Sequence, residues 1–139
     1  MNREDEIELL TAVATPASSA PQSAVRNLGQ HRTYTVMLCG LRVAMERRFP
    51  GAAGADTIHN FVLEMQSRFP DLPLLKPAAA EAIIWAAMGD NQRLKEVDPD
   101  DAVRLLFFIT HTVMADEQLS DDGIDDYIER VLELAGRRQ

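Results

Sequence analysis

Acidic side chains crowd residues 118–129, and their spacing is one that metal sites use. If Gly123 is aligned with the sixth residue of a calcium-binding loop, four oxygen-bearing side chains fall at ligand positions of that loop. These are Ser120, Asp122, Asp126 and Glu129. Gln118 stands where such a loop needs an aspartate, and Asp125 stands where it needs an apolar residue. A simpler hypothesis is that Ser120 caps a helix with acidic first turns, because the helix dipole favours anions there.

Three histidines and one cysteine are the other residues that could do chemistry. A zinc site needs three or four ligands at suitable spacing, and His31, His59 and His111 lie far apart without a second cysteine. His111 could act as a general acid or base, or form a hydrogen bond at the edge of the core. Cys39 is either a buried apolar residue or a nucleophile with His31 as its base. We favour the structural role for each, and predict no catalytic residue, metal ligand or cofactor.

The charge of the chain is unevenly distributed. The formal net charge of −8 argues against nonspecific binding to nucleic acid or to anionic membranes, both of which need positive charge. Residues 14–55 nevertheless carry a net +4, whereas residues 116–139 carry −5. The early cations are Arg26, Arg32, Arg42, Arg47 and Arg48. They could contact phosphate, or pair with the chain's own acids in the C-terminal segment.

Composition also bears on cellular location. The acidic first residues contain no apolar run, so no secretory signal is predicted. A single cysteine cannot form an internal disulfide, and the longest apolar stretches, 78–88 and 102–115, are too short to span a membrane. We therefore expect a cytoplasmic protein. Twelve arginines against two lysines are typical of GC-rich bacterial coding.

Apolar residues recur every three or four positions through most of the chain, which predicts helices. Prolines, glycines and capping residues set the predicted ends. The predicted helices cover residues 4–13, 30–49, 56–69, 77–88, 98–115 and 120–135. No useful length alternates apolar and polar residues, so no strand is predicted.

The fold class predicted from these elements is all-α. Residues 14–24 contain two prolines among small residues, which is typical of a flexible linker. We predict a compact bundle of about five helices over residues 25–139. A short amphipathic helix and its linker, residues 1–24, would form a tethered N-terminal segment.

The function that this pattern favours is a non-enzymatic, acidic protein–protein interaction module: an inhibitor, an immunity-type protein or a regulatory adaptor. It would bind a basic surface of another protein, steered by charge. The predicted partner-binding residues are Asp121, Asp122, Asp125, Asp126, Glu129 and Glu133 of the last helix, with Ile7 and Leu10 of the first. The first helix would dock in a groove of the partner.

Three alternatives remain open at this point. The chain could be a ligand-binding or enzymatic bundle with a pocket near Trp85 and His111. It could bind calcium through a helix pair at residues 118–129. A homo-oligomer could also form, because basic residues 26–48 complement acidic residues 116–133. Neither a membrane nor nucleic acid is an expected partner.

Overall fold

The fold is helical throughout the part of the chain that the computed structural model describes, which is residues 3–14, 22–51, 54–69, 76–90, 92–117 and 119–137. Those ranges contain no strand, and the predicted all-α class is confirmed. The α-helices are α1 (Arg3–Ala14), α2 (Gln22–Arg48), α3 (Ala55–Arg68), α4 (Pro77–Ala87), α5 (Pro99–Glu117) and α6 (Asp121–Arg137). A 3-10 helix, Gln92–Glu96, lies between α4 and α5.

Local signals set several helix ends as the sequence predicts. Pro77 and Pro99 are the first residues of α4 and α5, where proline's missing N–H costs nothing. The Ser120 hydroxyl accepts a hydrogen bond of 3.2 Å from the Gly123 N–H and caps α6. Gly89, with φ of 106°, follows the end of α4 in a conformation that a side chain disfavours.

Three helix ends differ from the prediction. α2 begins at Gln22, inside the segment expected to be a linker, but non-helical Gly29 divides it directly before residue 30, where the helix was predicted to start. Residues 15–21 lie outside the described ranges. Gly54 occupies the cap position of α3, so Asp56 lies in the first turn and does not cap the helix. Gly136 lies within α6, because one glycine without positive φ weakens a helix but does not end it.

α2 is the central helix of the bundle. It packs against α1, α4, α5 and α6, and from Val36 to Met45 every residue except Arg42 is buried. α5 supplies the second large part of the core, including Leu105 and Ile109, as its strong hydrophobicity predicts.

α1 belongs to the core, whereas the sequence predicted a tethered segment. Leu9, Leu10 and Val13 are at most 1% exposed and pack against α2, α5 and α6. The Arg32 guanidinium donates two hydrogen bonds, of 3.1 and 3.2 Å, to the buried Glu6 carboxylate and links α1 to α2. The difference has a simple cause: a helix of this length is marginal alone in water, and the bundle itself supplies the surface that α1 needs.

Candidate interaction surface

α6 has one apolar side and one acidic side. Tyr127, Ile128, Val131 and Ala135 are buried, and the helix packs against α2 and α1. Its outward side carries Asp121, Asp122, Asp125, Asp126, Glu129 and Glu133, which are all exposed. At 100° per residue these six side chains fall within about 140° of the helix circumference. We call this set the acidic face.

Helix capping accounts for only part of the acidic face. Asp121 and Asp122 lie in the first turn, where the dipole stabilises anions. Asp125, Asp126 and Glu129 lie further along, where that effect has faded. The continuation of acids through three turns is therefore a surface property that helix initiation does not require.

The four aspartates of the acidic face are not neutralised by ion pairs with the described residues. Asp121, Asp122, Asp125 and Asp126 form no ion pair within the described ranges. Arg3 Nη2 lies 3.1 Å from Glu129 Oε1, in an ion pair whose side chains are 61% and 71% exposed. An exposed pair of this kind contributes little to stability.

The two apolar residues predicted to join this surface lie elsewhere. Leu10 is completely buried beneath α2 and is not accessible to a partner in this structure. Ile7 is half-buried and packs on the edge of the core. The structure therefore leaves the six acids of α6 exposed and places Leu10 in the protein's own core.

The arginines of α2 do not form one basic patch. Arg32 pairs with Glu6, and the Arg48 guanidinium lies 5.5 Å from the Phe49 ring centre. Arg42, Arg47 and Arg48 project in three directions, since helix periodicity separates them by about 140° and 100°. Among the described residues, no ion pair joins an α2 arginine to Asp121, Asp122, Asp125 or Asp126.

Residues 121–129 are helical and do not have the backbone of a calcium loop. α6 begins at Asp121, so the acids expected at the fifth, ninth and twelfth loop positions lie on an α-helix. An EF-hand needs a loop that bends round the ion, and a helix turns these carboxylates outward along its surface. The described residues contain no cluster of three His, Cys, Asp or Glu side chains suited to a metal.

His111 has a structural hydrogen bond rather than a pocket. Its Nδ1 donates to the Val13 carbonyl at 2.9 Å, and its ring stacks at 5.8 Å on Phe107. The bond satisfies a carbonyl of the last turn of α1, which has no partner within its own helix. The Arg93 guanidinium carbon lies 5.3 Å from the centre of the Trp85 ring. Neither Trp85 nor His111 lines the cavities found among the described residues.

The remaining candidate residues are also kept apart. Cys39 is completely buried in α2, and His31 lies eight residues away, about 12 Å along the helix axis. His59 Nδ1 lies 3.2 Å from Glu81 Oε2 in an exposed pair between α3 and α4. The structure therefore keeps His31 away from the Cys39 thiol.

Comparison with known proteins gives no independent indication of function. No protein family model matches this chain, and neither the curated proteins nor the solved structures contain a significant match. None of the helices in the described ranges has the length and apolar character needed to cross a bilayer.

The sequence analysis missed a groove between α2 and α5. It is lined by Arg26, Val103, Arg104 and Phe107, among others. The walls of the groove come from helices that are distant in sequence, so no local sequence pattern predicts the groove. The one signal present in the sequence is Gly29, which breaks α2 directly before the predicted helix start at residue 30.

Proposed function

We propose that this protein is a non-enzymatic interaction module that binds a basic surface of a partner protein through the acidic face. The observation that carries the proposal is the exposure of six carboxylates on one side of α6, four of which, those of Asp121, Asp122, Asp125 and Asp126, form no ion pair within the described ranges. Such a surface accelerates encounter with a cationic partner, and the effect weakens as salt screens the charges. An inhibitor, an immunity-type protein or a regulatory adaptor would use it in this way.

The test compares two variants with the same net charge. The first, Asp125→Asn/Asp126→Asn/Glu129→Gln, neutralises the acidic face beyond the capping turn. The second, Glu8→Gln/Glu46→Gln/Glu64→Gln, neutralises three exposed acids on α1, α2 and α3. The probe is an arginine-rich helical peptide, and dissociation constants are measured at low and at physiological salt.

Loss of the three α6 charges should weaken binding at least tenfold, since each close charge pair is worth on the order of 0.5–1 kcal/mol. The matched variant should stay within about twofold of the native protein. Equal weakening in both variants would show that only net charge matters, and the proposed surface would be rejected.

A second copy of the chain is the alternative partner. Arg42 and Arg47 on α2 are exposed or half-buried and have no ion pair in the described ranges, so they could meet the acidic face of a neighbour. Sedimentation equilibrium at low salt should then show self-association that the α6 variant abolishes. A monomer at every salt concentration leaves a different protein as the partner.

A further inference from the structure

Three adjoining cavities form a continuous groove between the N-terminal half of α2 and the start of α5. Their volumes are about 360, 360 and 460 Å³. Val103 lines all three, so they share one wall. The groove ends near Leu94 on one side and Leu9 on the other. Each cavity is within the size range of small-molecule sites in proteins.

A break in α2 shapes the groove. Gly29 has φ of 82° and ψ of 162°, far from helical values, and lines the middle cavity. A residue with a Cβ strongly disfavours this conformation. The Thr33 hydroxyl reaches across the break to the Val25 carbonyl at 3.5 Å. The break thus separates two straight helical segments and leaves the space between them and α5 unfilled.

The largest cavity combines apolar walls with two cations. Leu9, Met37 and Phe107 contribute apolar side chains. Arg26 and Arg104 also line it; both are exposed, and neither forms an ion pair within the described ranges. Arg32 and Arg68, by contrast, are each paired with an acid of the chain. The largest of the three cavities therefore offers positive charge beside apolar side chains.

We propose that this groove binds a linear monocarboxylate amphiphile, with its alkyl chain along Val103 and its carboxylate between Arg26 and Arg104. Guanidinium groups pair with carboxylates through parallel hydrogen bonds, which fixes one end of the ligand. The largest of the three cavities has a volume of about 460 Å³, within the range of small-molecule sites, and the proposed ligands are decanoate and dodecanoate. The proposal is independent of the acidic face, which lies on α6.

The first test concerns the contact of the ligand's alkyl chain with the groove. The full-length protein is titrated calorimetrically with octanoate, decanoate and dodecanoate, each below its micelle concentration. Affinity should increase about fourfold for each added methylene until the groove is full. Decanol, which keeps the chain but lacks the charge, should bind more weakly than decanoate. No binding of any of the carboxylates at millimolar concentration would overturn the proposal.

Arginine variants test the head-group part. Arg26→Gln/Arg104→Gln should weaken decanoate binding about tenfold or more, because it removes the charged hydrogen-bond donors, and should leave decanol binding unchanged. The matched variant Arg48→Gln/Arg130→Gln removes two exposed arginines outside the groove and should change neither ligand. Equal decanoate affinity in both variants would place the carboxylate elsewhere and overturn the assignment.

Val103→Trp tests where the alkyl chain of the ligand lies, because the larger side chain would fill the groove at the wall that the three cavities share. It should abolish decanoate binding while the circular dichroism spectrum stays native. If this variant fails to fold, amide chemical shifts of the native protein decide: decanoate should perturb Val25, Thr33 and Val103. Shifts confined to other surfaces, or binding of an acidic helical peptide but not of decanoate, would overturn the proposal. The α6 triple variant should bind decanoate normally, so this result and that of the interaction surface are distinguishable.

Discussion

At the residue scale, Gly40 of α2 and Tyr127 of α6 depend on each other. The Tyr127 hydroxyl donates a 2.9 Å hydrogen bond to the Gly40 carbonyl in the fully buried core. A Cβ on residue 40 would lie 2.9 Å from that hydroxyl oxygen and 3.4 Å from Leu10 Cδ2. Burial raises the pKa of the Tyr127 phenol well above its usual value, so the hydroxyl remains a neutral donor at physiological pH.

Gly40→Ala should destabilise the protein by about 1–3 kcal/mol, because overpacking outweighs the helix-propensity gain of about 1 kcal/mol. Tyr127→Phe should cost about 1 kcal/mol through the lost hydrogen bond. In the Tyr127→Phe background, Gly40→Ala should cost less, since the obstructing oxygen has gone. Urea unfolding of the four proteins should give a coupling of at least about 0.5 kcal/mol.

Gly136→Ala is the control for helix propensity. Gly136 also lies in a helix, but a Cβ there meets nothing within 4 Å. The change should therefore stabilise the protein by up to about 1 kcal/mol. Additive effects at positions 40 and 127 would contradict the close contact between α2 and α6.

At the scale of helices, local signals predict where elements lie but not what they pack against. Pro77, Pro99 and Ser120 act within one turn of chain, so the starts of three helices follow from the sequence. The docking of α1 does not, because it depends on surfaces assembled from α2, α5 and α6. The His111–Val13 hydrogen bond spans 98 residues, and no periodicity in either segment announces it.

Leu10→Ala tests whether α1 is part of the core. Leu10 is completely buried, so its truncation should cost about 2–5 kcal/mol of unfolding free energy, measured by urea titration. Leu63→Ala is the matched control, because Leu63 is 43% exposed on α3 and should cost under about 1 kcal/mol. If both changes were equally mild, α1 would be a tethered segment as the sequence first suggested.

At the scale of the whole molecule, the sequence predicts which residues make the candidate surface. It does not predict whether arginines of the same chain pair with them. The acidic residues between positions 121 and 133 and their helical spacing can be identified from the sequence. Whether the arginines of α2 would neutralise them depended on the relative orientation of α2 and α6, a tertiary property. Arg42, Arg47 and Arg48 project in separate directions, and none of them forms an ion pair with Asp121, Asp122, Asp125 or Asp126 in the described ranges.

An acidic face that serves binding should carry a cost in stability, and Asp125 is the position that measures it. Asp121 and Glu129 lie four residues on either side, and each like-charge pair at that spacing destabilises a helix by about 0.2–0.5 kcal/mol. Asp125→Asn should therefore raise the free energy of unfolding by about 0.5 kcal/mol at low salt. The gain should vanish in about 1 M NaCl, where the Debye length falls to about 3 Å.

Glu64→Gln is the control with the opposite sign. Glu64 acts favourably on Arg68, and its neutralisation should slightly lower stability at low salt. Both values come from thermal or urea unfolding at two salt concentrations. A loss of stability in Asp125→Asn would mean that the acidic residues stabilise α6 itself. The acidic face would then need no binding partner to explain it. A gain would mean that the chain retains a surface that destabilises its own fold, as binding sites often do.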